Sequence, residues 1–346
     1  MLSEDKKNIK PEVIRVSKEL SGLRLDKFIR YYIAGIKQSH LEKIIGSGGI
    51  RVNKKKVKPN CILNLNQLVS HVNWLFGQGS DGVAILGRTG EANSLTFEQR
   101  LSIIEHTAGE LPPEKLMLGT GSCSMQDAIR LTSASVQAGV FTVLVLPPFY
   151  YRPQSEEGAF RYFSELIETV SEERLRVVFY NFPQLTGFSF SLELLTRLRD
   201  RYGQVAAGIK DSSGDWENMK LLAREIPDFS VYAGTEKFLL DILREGGAGC
   251  ITATGNLTSP ACSEVYRAWR SGDSDEADRA QQLLTRQRLA LQQKPFVSGL
   301  KALLEQSTND PGWKNLLPPF VPLTPEDASA FSKEATAAGI QLLSGN

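Results

Sequence analysis

From Leu68 onward, short apolar runs alternate with longer stretches whose apolar positions recur every three or four residues. The apolar runs predict strands at Gly82–Leu86, Lys115–Gly119, Thr142–Leu146, Arg176–Tyr180, Val205–Lys210, Ser230–Ala233 and Gly249–Thr254. The amphipathic stretches predict helices at Thr96–Ala108, Ser124–Ala138, Glu156–Val170, Ser191–Tyr202, Trp216–Glu225 and Glu236–Arg244. Seven strand–helix units at this spacing predict a parallel sheet closed as a barrel, with long helices from Pro260 onward as an outer layer. In such a barrel the chemistry sits where strands end. The ends here read Gly87-Arg-Thr-Gly-Glu91, Gly119-Thr-Gly121, Pro147–Tyr151, Tyr180-Asn-Phe-Pro183, Lys210-Asp-Ser-Ser213, Gly234-Thr235 and Thr254-Gly-Asn256.

One lysine stands out in that ring of small, hydroxyl and aromatic residues. Lys210 closes an apolar strand, thirty residues after Tyr180 closes the preceding one. An ammonium withdrawn from water at a buried strand end gives up its proton more readily, which frees the amine to attack a carbonyl. A neighbouring phenol can move the protons that imine chemistry requires. Arginine could not replace this lysine, because a guanidinium keeps its proton at any working pH. The plainer alternative is a lysine whose stem snorkels from a strand end.

Composition narrows the classes. His40, His71 and His106 all lie in the first third, which argues against a histidine base or a histidine-ligated metal beside Lys210. The four cysteines show no Cys-x-x-Cys pairing and read as buried thiols of a reducing compartment. No phosphate loop, dinucleotide fingerprint, membrane-length apolar run or signal-peptide core is present, so a cytoplasmic protein is expected. The overall charge of +1 hides a split: residues 1–67 carry 15 basic and 6 acidic side chains, residues 68–346 carry 25 and 33. Two sequences of different character meet near 64–67, which predicts a small basic domain over 1–66 and a large one over 67–346.

The large part resembles the dihydrodipicolinate synthase and N-acetylneuraminate lyase superfamily of Schiff-base aldolases. Four stretches carry the resemblance, in family order: Gly87–Glu91, Pro148–Pro153, Tyr180–Gly187 and Gly208–Gly214. It implies an α/β fold, a (β/α)8 TIM-type barrel, with no cofactor and a homo-oligomeric assembly, dimer or tetramer. It also implies that Lys210 forms an imine with pyruvate or another 2-oxo acid and that Tyr180 donates and accepts protons. Thr89 and Gly90 would bind the substrate carboxylate, with the backbone through Ile251 lining the same pocket, and Tyr150 would reach into a neighbouring subunit's site. Three departures matter. Arg88 stands where the family has a relay threonine; it offers donors only, and either binds an anionic group of the substrate or turns outward. Leu185 stands where the lysine-pathway enzyme has an arginine for its second substrate, which favours a retro-aldol lyase over condensation with aspartate semialdehyde. The family's opening strand is missing, so the barrel is expected to lack its first strand.

Residues 21–62 resemble the small α+β RNA-binding domain at the N-terminus of large-subunit pseudouridine synthases. The matching stretches are Leu23–Phe28, Gln38–Ile45 and Gly49–Lys58. The resemblance implies weak, salt-sensitive contact with an RNA backbone through Arg24, Lys27, Lys54, Lys55, Lys56 and Lys58. Arg24-Leu25-Asp26 is not the catalytic Arg-Leu-Asp of those synthases, whose catalytic aspartate lies in a later domain. The alternative to an active aldolase is therefore a catalytically impaired fusion whose N-terminal segment binds RNA.

Overall fold

The computed structural model describes strands β1 (Arg51–Val52) and β2 (Lys55–Lys56) and residues 65–342. The chain divides into two units after Cys61. In the first, β1 and β2 pair antiparallel, Arg51 opposite Lys56. Of the residues expected to contact RNA, Arg24, Lys27, Lys54 and Lys58 lie outside the described residues, and Lys55 and Lys56 are described by backbone alone.

The second unit is built on seven parallel strands: β3 (Val83–Ile85), β4 (Leu116–Gly119), β5 (Thr142–Val145), β6 (Arg176–Asn181), β7 (Ala206–Asp211), β8 (Ser230–Ala233) and β9 (Gly249–Cys250). They follow one another in sequence order across one curled sheet, as a TIM-type barrel requires. Strand periodicity sorts their side chains. Val143, Val145, Val177, Phe179, Ile209 and Val231 pack outward against the surrounding helices. Met117, Leu144, Val178, Tyr180 and Tyr232 form a separate inner cluster. Gly208 is required on β7, because a Cβ there would lie 2.2 Å from the Ser230 carbonyl oxygen on β8.

Twelve helices are described. Preceding the sheet is α1 (Leu65–Gly77); between strands lie α2 (Phe97–Glu110), α3 (Met125–Gln137), α4 (Glu156–Val170), the single turn α5 (Pro183–Thr186), α6 (Leu192–Tyr202), α7 (Trp216–Glu225) and α8 (Leu239–Arg244). Thr96, Ser124, Ser155, Ser191 and Asp215 each cap the helix they precede by accepting from its third amide, so those starts match the expected ones closely. The stretch from Glu236 to Arg244 differs: Glu236–Phe238 is a 3-10 turn, and the α-helix begins at Leu239. Beyond the sheet are α9 (Gly255–Ser271), α10 (Ser274–Leu291), α11 (Phe296–Thr308) and α12 (Pro325–Ala337). Pro260 lies inside α9 and does not open it.

The strand expected over Gly249–Thr254 stops at Cys250. It has β8 on one side, and among the described residues no strand on the other. The outer edge of β3 is open in the same sense. Side chains on and just after α1 bridge this interval to α9 and to the segment after α11. His71 Nε2 meets Asn256 Oδ1 at 2.8 Å, Ser80 and Ser259 hydroxyls lie 3.0 Å apart, and Gln67 donates to Asp310 at 2.7 Å. His71 is also stacked on Trp74 and edge-on to Trp313.

That packing makes His71 sensitive to pH. Burial lowers its pKa below the ordinary value of about 6.5, and the contact with Asn256 offsets this only in part. The unfolded chain therefore binds a proton first as the medium acidifies. The stability due to neutral His71 is complete above about pH 6.5 and is lost as pH falls below it. Melting temperature is expected to drop between pH 7.5 and 5.5, and to drop less in His71→Gln. Equal slopes in the two proteins would show that His71 does not carry the effect.

Candidate active site

The register of the sheet brings Tyr180, Lys210 and Tyr232 into one row. Tyr180 of β6 is the partner of Lys210 on β7, which is in turn the partner of Tyr232 on β8. The Lys210 ammonium lies 4.5 Å from the centre of the Tyr180 ring, whose far neighbour is Phe182 at 5.9 Å. Tyr180 is 7% exposed, and Lys210 is partly buried. Both open into a cavity of about 900 Å³ that runs the height of the sheet and passes between β3 and β9. The volume is ample for a small metabolite.

Polarity differs between the two ends of this cavity. Asp81, Glu114 and Lys115 line it where β3 and β4 begin. Arg88, Lys210 and Lys237 line it at the ends of β3, β7 and β8, and Arg288 lines it beside Thr254, beyond β9. Asp211 is also at that end, but its carboxylate is already engaged: Asn181 Nδ2 donates at 2.9 Å, the Ser213 amide at 2.8 Å and Asn218 Nδ2 at 3.3 Å. The strand-end mouth is cationic.

Two buried networks position the lysine's surroundings. Asp211 and Asn181 are the residues after Lys210 and Tyr180, so the strand period turns them outward, where both are fully buried. Their hydrogen bond joins β6 to β7 beside the Tyr180–Lys210–Tyr232 row. A second carboxylate, Glu236, is also fully buried; it accepts from the hydroxyls of Thr252, Thr254 and Thr258, with Arg288 at 3.6 Å. These bonds accompany the end of the strand at Cys250 and the 3-10 turn, Glu236–Phe238, after β8. A hydrogen bond with Cys262, reinforced by burial, pushes the Cys250 thiol well above its ordinary pKa. Cys250 is accordingly a thiol and not a thiolate, which removes it as a nucleophile.

The cavity gathers six of the residues expected from sequence: Lys210, Tyr180, Thr89, Arg88, Gly90 and Ile251. It does not include Tyr150 or Leu185. Tyr150 is 77% exposed and pairs edge-on with Tyr151 at the outer surface. Leu185 sits on α5, half-exposed, its carbonyl accepting from Arg152. Arg88 lines the cavity and is exposed, with no ion pair among the described residues; its guanidinium lies over Phe182, 5.6 Å from the ring centre. Sequence reasoning missed Phe182, Tyr232 and both carboxylate networks. The alternation in Ser230-Val-Tyr-Ala233 could have flagged Tyr232, and polar Asn181 and Asp211 on a helix-facing side could have flagged the first network. Among the described residues no helix is long and apolar enough to cross a membrane, and no three His, Cys, Asp or Glu side chains gather as a metal site.

Comparison with known proteins bears on the family and the fold. A family model, the dihydrodipicolinate synthetase family, matches residues 56–338. The chain is 30% identical over 264 residues to an uncharacterized DapA-like lyase of Chloroflexus aurantiacus, covering 76% of this chain and 87% of the relative. It is 30% identical over 272 residues to the 4-hydroxy-tetrahydrodipicolinate synthase of Bacillus subtilis, covering 78% and 91%. Among solved structures, YagE of E. coli K12, a prophage protein of the dihydrodipicolinic acid synthase family in complex with pyruvate, superposes with a TM-score of 0.72. That pair shares 28% identity over 80% of this chain and 93% of the other.

Proposed function

The chain belongs to the dihydrodipicolinate synthetase family, and from that membership we propose that it is a class I, lysine Schiff-base lyase acting on pyruvate or a related 2-oxo acid. The observation that carries the reading is Lys210 beside Tyr180 in a cavity whose mouth is cationic. The free amine of Lys210 adds to C2 of the 2-oxo acid, and loss of water from the carbinolamine leaves an iminium. In the retro-aldol direction the C3–C4 bond then breaks. Its electron pair enters the enamine, and Tyr180 takes the proton from the C4 hydroxyl as the aldehyde forms. Protonation at C3 and hydrolysis return pyruvate and the free lysine.

Thr89 and Gly90 at the end of β3, and Ile251 at the end of β9, supply hydroxyl and backbone groups for the carboxylate. Tyr150, exposed in a single chain, acts in this reading by entering the site of a second copy in a homo-oligomer. Leu185 gives the acceptor side no charge of its own, which favours cleavage over lysine-pathway condensation.

Incubation with pyruvate and borohydride tests the proposal. Mass spectrometry is expected to find one reduced pyruvyl group, on the peptide containing Lys210; no adduct, or an adduct elsewhere, would overturn it. A second reading, a barrel without turnover joined to an RNA-binding segment, is favoured by the open edges of β3 and β9 among the described residues. It expects no adduct under the same conditions.

A further inference from the structure

We propose that Arg88 and Phe182 form a subsite for a second anionic group, so that the substrate is a 2-oxo acid bearing a carboxylate or phosphate at its far end. The inference rests on Lys210 being the imine-forming residue, and it adds what that residue alone does not specify.

Arg88 leaves the end of β3 into the same cavity that Lys210 enters from β7. Its guanidinium lies over the Phe182 ring, and Phe182 neighbours Tyr180, whose ring carries the lysine ammonium. Stacking on an aromatic face restrains a long side chain in one orientation while leaving the planar edge, with its donors, free to bond. Among the described residues no carboxylate satisfies that edge. The acids lining the cavity are Asp81 and Glu114, at the opposite ends of their strands, and Asp211, whose oxygens are engaged by Asn181, Ser213 and Asn218. A charged fork over a ring, at a mouth whose one lining carboxylate is already engaged, matches a carboxylate or phosphate in two parallel hydrogen bonds.

The shared end of the substrate is a weaker claimant for Arg88. That carboxylate already has the Thr89 hydroxyl and backbone amides in this reading, and must lie within reach of Lys210 for C2 to be attacked. Besides Arg88 and Lys210, the cations lining this mouth are Lys237, exposed on the turn after β8, and Arg288, whose guanidinium donates to Thr254 and lies 3.6 Å from Glu236. Aspartate semialdehyde fits such a subsite poorly, since it brings an ammonium beside its carboxylate.

Calorimetric binding of two five-carbon acids isolates the far end. 2-Oxoglutarate and 2-oxopentanoate share C1 to C4 and differ by a carboxylate in place of a methyl group. A six-carbon 2-oxo acid phosphorylated at C6 tests phosphate at the same subsite. In the parent protein, at least one of the two dianionic acids is expected to bind on the order of 10- to 100-fold more tightly than 2-oxopentanoate, the range of one charged hydrogen-bonded contact. Arg88→Gln should abolish that advantage, and Arg88→Lys should retain part of it. Measuring each protein also in the Lys210→Ala background removes imine formation from the comparison. No preference in the parent, a preference that persists in Arg88→Gln, or an equal loss for all three acids would overturn the proposal; the last would place Arg88 on the shared carboxylate. Borohydride trapping of 2-oxopentanoate at Lys210 reports separately on the imine, so failure of the Schiff-base reading and failure of the subsite give different results.

Discussion

Lys210→Ala is expected to lose all measurable turnover, and Tyr180→Phe to lose about two to four decades of it, the usual contribution of one positioned acid–base group. In the proposed mechanism the lysine supplies the covalent link, so its loss cannot be offset by binding. Lys210→Arg should be equally inert despite its similar length, because the guanidinium stays protonated. Neither change threatens the fold. Lys210 reaches into a cavity and touches the Tyr180 face, while the strand around it is held by outward-facing Ile209 and by Asp211. Tyr180→Phe keeps the ring that packs with Leu144 and Val178 and removes one oxygen. Steady-state kinetics beside melting curves separate chemistry from stability. Tyr180→Phe should still form the borohydride adduct, more slowly. If Tyr232→Phe costs as much as Tyr180→Phe, the proton role belongs to the pair flanking Lys210 and not to Tyr180 alone.

The row Tyr180–Lys210–Tyr232 shows how far the chain could be read directly. β6 and β7 each announce their end through an apolar run that closes on a polar residue, and this located Lys210 and Tyr180. The register that pairs them belongs to the sheet, and only the two-residue period offered a hint that Tyr232 joins the row. Contacts between distant segments were less legible. Glu236 is 52 residues from Arg288 and His71 is 185 from Asn256, and nothing local in either sequence marks its partner. Those contacts also account for the misjudged ends. Thr252 and Thr254 are β-branched and look like strand residues, yet their hydroxyls serve the buried Glu236 carboxylate, and β9 stops at Cys250. Arg88 was ambiguous for a different reason: a charged residue beside a glycine turns either way, and the ring that holds it arrives from a strand end 94 residues downstream.

Condensation of pyruvate with aspartate semialdehyde is expected to be slow, by about one and a half to nearly four decades against a relative with arginine at the position of Leu185. Removing one partner of a buried, hydrogen-bonded charge pair costs about 2–5 kcal/mol, which is that span in rate. The surroundings of Leu185 offer no evident substitute. Its side chain is apolar and half-exposed on α5, and the nearest guanidinium, that of Arg152, is tied to the carbonyls of Phe149 and Leu185. Arg152 is therefore occupied in joining the segments that carry Phe149 and Leu185. Leu185→Arg should recover part of the missing rate, chiefly through a lower KM for the aldehyde, because a restored carboxylate contact acts on binding before the carbon–carbon bond forms. A coupled reductase assay on both proteins measures this. Efficient turnover by the parent would show that another group binds the acceptor carboxylate. Arg88 is the first to test, since it already lines the cavity beside Phe182.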